Sequence, residues 1–176
     1  GELVARYAAH LAQVGGRVVR GDARTLQPRG AGWSVQTDEG PHEAAHAVVA
    51  LGPWADTLLT PVGLRMPLFV KRGYHRHYTG GAAPRLALLD ADRGLVIAPM
   101  TRGVRITTGA ELTHRDAPST PWQLARAEQS ARELLDLPQP VESEPWRGAR
   151  PCTPDMKPVI GAAPGRPGLW FNFGHG

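Results

Sequence analysis

The stretch PWRGARPCTPDMKPVIG, residues 145–161, joins a strand-like run to a Pro-rich turn and a second short apolar run. It places Arg150 where the predicted strand meets the turn. A guanidinium offers a planar fork that matches a carboxylate, and burying it without a partner is costly. The chemistry leaves two partners open, either a bound anion or a carboxylate of this chain at Asp155, Glu142 or Glu144.

The elements around this stretch predict an α+β fold with an antiparallel middle. Apolar spacing of helical period predicts helices over residues 2–14 and 120–137. Alternating apolar runs separated by turn residues predict an antiparallel meander between the helices. Strands are predicted at 66–78, over RLALLD, GLVIAPM and GVRITTGAEL, at 141–150, and over PVIG and GLWFNFG.

The first sixty residues have a different pattern. They predict a small three-stranded layer at 17–20, 32–38 and 42–46. The apolar run 47–51 is typical of a buried central strand, and it ends in Gly52 at a predicted helix start. A glycine at that point lets the backbone approach a ligand closely, although a plain connection between a strand and a helix commonly uses glycine too.

Charge and composition narrow the class of protein. The net charge of +4 is carried by arginines that are scattered along the chain, which makes a poor electrostatic footprint for nucleic acid. No run of eighteen apolar residues predicts a membrane span. Cys152 is the only cysteine, so no internal disulfide can form, and a reducing compartment such as the cytoplasm is expected.

Three histidines stand at positions that could serve a site. His75 and His77 are two apart on a predicted strand and share a face, whereas Tyr74 points to the other face. No third ligand lies at a spacing typical of zinc sites, so we expect no metal and leave open a pocket rim or a solvated sheet face. His175, between Gly174 and Gly176, follows an apolar strand, where glycines allow close backbone approach or simply a flexible end.

Three segments, taken together and in order, resemble one family. VVALGPWA, KRGYH and WRGARPCTPDMKPVIG followed by GH are similar to runs of the flavin-dependent amine and D-amino-acid oxidoreductases, which include glycine oxidase and bacterial D-amino-acid dehydrogenase. The resemblance covers essentially the whole chain. It implies an enzyme in which a hydride passes from the carbon bearing the amine to FAD, and in which water hydrolyses the resulting imine.

The resemblance also implies roles for particular residues. Arg150 would be the catalytic residue that grips the substrate carboxylate, with Tyr74 and His75 bordering the substrate pocket. The residues expected to approach FAD are Gly52, Trp54, Gly174, His175 and Gly176.

The same resemblance implies a division of the chain. Residues 1–60 would be partial Rossmann-like elements of a FAD-binding domain, 61–145 a substrate domain, and 146–176 a return to the FAD-binding domain. The GxGxxG turn and the residues beyond GHG that such enzymes use are absent from this sequence, so it is expected to be a fragment that binds FAD weakly or not at all, and to be inactive alone. Contact with a membrane quinone, and hence a peripheral position at the membrane, stays open. The alternative function is a non-redox module that binds a small carboxylate.

Overall fold

The computed structural model describes residues 2–176, which form two compact units. One unit comprises the described residues up to Met66 together with Val159–Asn172, and the other comprises Pro67–Pro158 together with Phe173–Gly176. Along the chain, the helices are α1 (Glu2–Gln13), α2 (Ala55–Leu59) and α3 (Pro121–Arg132), and a single 3-10 turn is formed by Gly52–Trp54. The strands are β1 (Gly21–Arg29), β2 (Gly32–Thr37), β3 (Gly40–Ala44), β4 (Ala47–Val49), β5 (Phe69–Thr79), β6 (Leu88–Asp90), β7 (Leu95–Met100), β8 (Gly103–Thr108), β9 (Glu111–Leu112), β10 (Gln139–Pro140), β11 (Trp146–Cys152), β12 (Val159–Ala162) and β13 (Leu169–Phe173).

The first unit contains the predicted three-stranded layer, but its first strand was placed wrongly. Strands β1, β2 and β3 form an antiparallel sheet in that order. The predicted strand at 17–20 precedes β1, whose pairing begins with Gly21 opposite Thr37. Beyond Thr37 the chain turns into β3, so the ladder ends with a hydrogen bond from the Asp38 N–H to the Arg20 carbonyl at 2.9 Å, and residues 17–19 extend past the end of β2.

The predicted buried central strand at 47–51 is shorter and less buried than expected. Strand β4 covers only Ala47–Val49 and pairs in parallel with β13, in a described sheet of order β12-β13-β4. It therefore occupies an edge of that sheet, and Val48 is 62 % exposed. A run that is apolar on both faces does not by itself distinguish an edge from a centre, because partners on both sides decide that.

Helix α1 forms where its spacing predicts it, yet it buries none of its side chains within the described structure. Its largest apolar residues are all exposed, namely Leu3, Val4, Tyr7 and Leu11.

The second unit is built on the long strand β5. The first half of β5 pairs with β11 and β9, and its second half pairs with β8 and β10. Strands β8, β7 and β6 continue the sheet as the antiparallel meander that the sequence predicts. The α+β class with an antiparallel sheet is confirmed.

Helix α3 covers one face of this sheet. Its stripe of Leu124, Ala127 and Ala131 is buried, as the helical spacing predicts. The strands alternate, so every second residue of β5, β7 and β8 faces the helix. The core under the helix consists of Tyr78, Leu95, Ile97, Val104, Ile106, Ala127, Ala131 and Leu137, with Leu135 packed against it.

Strand β11 starts later than the sequence predicts, at Trp146 rather than at residue 141, and it belongs to the second unit. Residues 146–158 are thus paired with or adjacent to the β5 sheet, whereas 159–172 lie in the first unit. The predicted division groups all of 146–176 with the FAD-binding domain, and that functional assignment stays a prediction.

Candidate functional site

The register of β5 brings several polar side chains to the sheet face that α3 does not cover. Residues directly opposite each other in an antiparallel pair share a face. Arg150 lies opposite Lys71, Trp146 lies opposite His75, and on the other side of β5, Thr107 and Arg105 lie opposite His75 and His77. We call this surface the Arg150 face, and it is defined by Lys71, His75, His77, Arg105, Thr107, Trp146 and Arg150.

Arg150 forms no side-chain hydrogen bond or ion pair with any residue from 2 to 176, and it is exposed. The Nζ atom of its cross-strand neighbour Lys71 lies 3.5 Å from the Met156 sulfur and 5.9 Å from the centre of the Phe69 ring. Asp155, one of the carboxylates that could have neutralised Arg150, instead accepts a hydrogen bond from the backbone N–H of Lys157 at 3.2 Å. Two like charges directly opposite each other repel and are destabilising. An anion bound beside Arg150 and Lys71 would reduce that repulsion.

His75 lies in the middle of the Arg150 face and stacks on Trp146, with ring centroids 4.5 Å apart and planes 21° apart. His77 approaches the same imidazole edge-on at 5.4 Å. Burial lowers the pKa of His75, and the charges of Arg105 and His77 lower it further against the opposing charge of Glu142. The neutral imidazole, which can both donate and accept a hydrogen bond, is therefore favoured at neutral pH.

Trp146 forms a partly exposed aromatic platform beside Arg150. A Cβ added to Gly148 would lie 2.1 Å from the Trp146 ring, so the indole lies over Gly148, the residue between Trp146 and Arg150 on this face. The indole is held on one side by His75 while the Trp146 residue remains 56 % exposed. The exposed surface of the indole can pack against a flat or apolar group of a ligand.

Glu142, the second carboxylate that could have paired with Arg150, is engaged elsewhere. Its carboxylate accepts hydrogen bonds from the backbone N–H and Nδ1 of His77, both at 2.9 Å, and lies 3.3 Å from Arg102. Burial alone would raise the pKa of Glu142, but the two hydrogen bonds from His77, its charge and that of Arg102 hold the pKa below its usual value. The carboxylate is thus ionised and fixes the edge of the Arg150 face next to His77.

Tyr74, which the family resemblance placed at the substrate pocket with Arg150 and His75, lies on the opposite face, as the alternation along β5 predicts, and is 2 % exposed. Its hydroxyl donates to Glu111 at 2.6 Å and accepts from the backbone N–H of Thr120 at 2.9 Å. Arg72, also buried, donates to the same carboxylate oxygen at 2.6 Å. The structure therefore brings together Arg150 and His75 but not Tyr74.

This buried network of Arg72, Tyr74 and Glu111 was missed by sequence reasoning. Burial would raise the pKa of Glu111, but hydrogen bonds from Tyr74, Thr120 and Arg72 together keep the pKa below its usual range. The alternation along β5 signals that Arg72 and Tyr74 share a face. Nothing in the sequence identifies Glu111 as their partner, because the pairing of β5 with β9 is a long-range contact.

The end of the chain lies against the turn that follows Arg150. The backbone N–H of Gly176 donates to the carbonyl of Pro151 at 2.9 Å, next to Arg150 in sequence. Gly174 and Gly176 have φ values of 79° and 86°, which glycine adopts far more readily than other residues. Within the second unit, the segment Gly174–Gly176 that includes His175 is therefore close to the strand end that carries Arg150.

Gly52 and Trp54, the other residues expected near a cofactor, lie in the first unit. Gly52 begins the 3-10 turn after β4 with a φ of 55°, and Trp54 ends the turn and is 52 % exposed. A strand that ends in a left-handed glycine at a helical turn fits close backbone approach by a ligand.

Two absences can be stated for residues 2–176. They contain no group of three or more His, Cys, Asp or Glu side chains placed to hold a metal ion. No helix in this range has the length and apolar character needed to cross a membrane.

Comparisons with known proteins agree on one family. A family model described as DAO, FAD dependent oxidoreductase, matches residues 1–176. D-amino acid dehydrogenase 2 of Pseudomonas aeruginosa is 36 % identical over 141 residues, which are 76 % of this chain and 33 % of that protein. Glycine oxidase of the same organism is 33 % identical over 146 residues, which are 80 % of this chain and 39 % of that protein. The crystal structure of glycine oxidase from Geobacillus kaustophilus aligns with a TM-score of 0.67 and 25 % identity over 88 % of this chain and 42 % of that one. The chain thus spans about two fifths or less of the length of these relatives.

Proposed function

Since the chain belongs to the DAO family of FAD-dependent oxidoreductases, we propose that it supplies the substrate-binding sheet of an enzyme that oxidises a small amino acid or secondary amine. The observation that carries the proposal is the cross-strand pair of Arg150 and Lys71, two cations that have no carboxylate partner among residues 2–176. An amino-acid carboxylate is the anion that such a pair would bind.

Arg150 is the residue that binds and orients the substrate. Its guanidinium can take both oxygens of a carboxylate in parallel hydrogen bonds, which fixes the direction of the molecule as well as its position. Lys71 adds a point charge from the neighbouring strand. Holding the reacting carbon in one orientation lowers the barrier without any strong acid or base in the site.

His75 and Trp146 border the substrate. His75 lies four residues along β5 from Lys71, so its backbone position is about 13 Å along the strand from that of the cationic pair Arg150 and Lys71. That spacing leaves room for a small substrate between the two groups. His75 can accept a hydrogen bond from the substrate amine, and the Trp146 indole excludes water from one side of it.

The residues present fit a flavin cofactor. Positive φ values at Gly52, Gly174 and Gly176 leave backbone that a ring or phosphate can approach, and the Trp146 platform offers an aromatic surface. These glycines, with Trp54 and His175, are the residues of this chain that would hold FAD. When bound, FAD supplies the acceptor for the hydride that leaves the carbon bearing the amine. Water then hydrolyses the imine to a carbonyl compound and the free amine or ammonia.

The domain roles follow from this proposal. The described residues up to Met66 with Val159–Asn172 would contribute to the FAD-binding domain, and Pro67–Pro158 would form the substrate domain. The segment Gly174–Gly176 would be the place where the cofactor meets the Arg150 face.

The non-redox alternative shares Arg150 but needs no flavin. It is disfavoured because the relatives are named as a dehydrogenase and as oxidases. No observation on the Arg150 face favours it over the redox function.

To test the proposal, a flavin-loaded protein that contains this chain is mixed under anaerobic conditions with glycine, sarcosine, L-alanine or D-alanine. Loss of the visible flavin absorbance with at least one of them is the expected result. If the flavin stays oxidised with these compounds and with a wider panel of amino acids and secondary amines, the proposed function is wrong.

A further inference from the structure

Arg105 is a second arginine on the Arg150 face that the proposed function does not use. Its guanidinium makes no ion pair or hydrogen bond in the described part of the chain, and its Nε is buried without a partner. Thr107, two residues along β8, also has a buried hydroxyl without a partner. Buried donors left unpaired are uncommon and call for an explanation, and a ligand group is one.

The register places both residues on the side where substrate is proposed to lie. Arg105 lies opposite His77, and Thr107 lies opposite His75, whose ring stacks on Trp146. Burial is the largest cause of the lowered pKa of His75, and the charge of Arg105 is the second largest. The electric field of the Arg105 guanidinium therefore extends over the same face.

The Arg150 face is strongly one-sided in charge. The charged residues at its paired strand positions are Lys71, Arg105 and Arg150, and none of those positions carries Asp or Glu. The carboxylate of Glu142, which adjoins His77 of this face, comes from the segment after β10 and is already bonded to His77 and Arg102. A surface of this kind attracts anions and disfavours cationic side chains.

The separation of the two arginines matters for what they can bind. Their cross-strand partners, Lys71 and His77, are six residues apart on β5, which is about 20 Å along the strand, and the two arginines lie on opposite sides of β5, which adds about 10 Å across the sheet. One carboxylate cannot contact both guanidiniums across that distance. Two arginine side chains leaning toward each other can, however, meet the two ends of a short molecule with an anionic group at each end.

We propose that Arg105, assisted by the hydroxyl of Thr107, binds a second anionic group of the substrate, so that the enzyme prefers amino acids or amines with two carboxylates. This inference rests on the proposed function, because Arg150 must hold the first carboxylate. The forked guanidinium suits a carboxylate better than an amide, which offers only one acceptor oxygen.

Substrates that differ only in charge test the inference. With the flavin-loaded enzyme that contains this chain, kcat/KM is measured for both enantiomers of glutamate and aspartate and for those of glutamine and asparagine. The acid is expected to exceed its amide in kcat/KM by about tenfold or more, as for a charged group that gains a charged partner. Arg105→Gln should remove most of that preference, because kcat/KM for the acid falls much more than kcat/KM for the amide.

Two variants control the result. Arg93→Gln changes an exposed arginine in the turn between β6 and β7 that already pairs with Asp90 and Glu133, and it should leave the ratio of acid to amide unchanged. Arg105→Lys should retain part of the preference, because it keeps the charge and loses the fork.

The outcomes separate the two proposals. An enzyme that oxidises neutral amino acids as well as acidic ones, or an Arg105→Gln variant with an unchanged ratio, overturns the second-anion site while the proposed function stands. An enzyme that oxidises no amine at all overturns both. Should Arg105→Gln fail to fold, judged by flavin content and thermal unfolding, the wild-type ratio decides, since a preference for the amide contradicts the inference.

Discussion

At the scale of single residues, the main feature is cationic charge that the described chain does not neutralise. Two of the carboxylates near Arg150 in sequence have other partners, since Asp155 accepts a hydrogen bond within a turn and Glu142 holds His77. His75 differs from its neighbours because its environment disfavours its charged form. The Arg150 face thus combines groups that attract an anion with an imidazole that stays neutral beside them.

The lowered pKa of His75 predicts how the stability of the isolated chain depends on pH. The unfolded chain binds a proton at His75 with the ordinary pKa of about 6.5, whereas the folded chain, with Arg105, His77, Glu142 and Trp146 around the ring, binds it less readily. The contribution of His75 to stability is therefore complete above about pH 6.5 and decreases as the pH falls below it.

Urea unfolding of wild type and His75→Asn at pH 5 and pH 8 measures this contribution. The free energy of unfolding of wild type, minus that of the variant, should be smaller at pH 5. A difference that is larger at pH 5 would show that His75 gains rather than loses stability on protonation. The other titrating groups are the same in both proteins, so their contributions largely cancel in the difference between the two free energies of unfolding.

At the scale of elements, the two faces of β5 have different roles, one structural and one in the candidate site. The residues facing α3 form the hydrophobic core and the network of Arg72, Tyr74 and Glu111, while the alternate residues carry the candidate site. A substitution on the α3 side should therefore change stability but hardly change substrate oxidation, and a substitution on the Arg150 face should do the reverse.

Tyr74→Phe tests that separation. It leaves the Glu111 carboxylate and the N–H of Thr120 without their shared partner and should destabilise the protein by about 1–3 kcal/mol. Because Tyr74 lies on the α3 side, kcat/KM of the flavin-loaded enzyme should stay within about twofold of wild type. A large loss of kcat/KM with little change in stability would instead place Tyr74 in the substrate pocket, as the family resemblance first suggested.

The sequence predicts these elements well where a local pattern decides them. Pro121 and the apolar stripe define α3, and alternation with turn residues defines the meander. Pairing between distant segments is not encoded locally, so the parallel pairing of β4 with β13 and the contact of Arg72 with Glu111 could not be predicted. The strand expected at 17–20 fails for the same reason, since a β-prone run forms a strand only where a partner extends beside it.

The candidate site shows the same limit. The resemblance to the family identified Arg150, and the alternation along β5 separated His75 from Tyr74. Only the register of β5 with β11 places Arg150 on the same face as His75. Arg105 and Thr107 carried no signal, because their unpaired atoms are recognised only once the neighbours on β5 and β7 are known.

At the scale of the whole molecule, two units are built from interleaved segments of the chain. Gly52 belongs to the first unit, and Gly174 and Gly176 belong to the second. The chain spans only a part of its relatives' length, and it contains no GxGxxG turn of the kind that binds a dinucleotide pyrophosphate at a helix N-terminus.

We therefore expect the 176-residue chain alone to bind FAD weakly or not at all. Purified in the presence of excess FAD and then desalted, it should show no flavin absorbance, and titration should show little quenching of flavin fluorescence. A stoichiometric flavin that survives desalting would contradict this expectation and would mean that the glycines of this chain suffice for tight binding.

The most direct test of the central claim is kcat/KM of the flavin-loaded enzyme for an amino acid and for the corresponding amine that lacks the carboxylate, in wild type and in Arg150→Ala. Arg147→Ala, on the same strand but with its guanidinium bonded to the carbonyl of Ala117, is the matched control. Arg150→Ala should cost about 2–5 kcal/mol of transition-state binding with the amino acid and little with the amine. An Arg150→Ala enzyme that oxidises the amino acid as efficiently as wild type would show that this guanidinium does not hold the substrate.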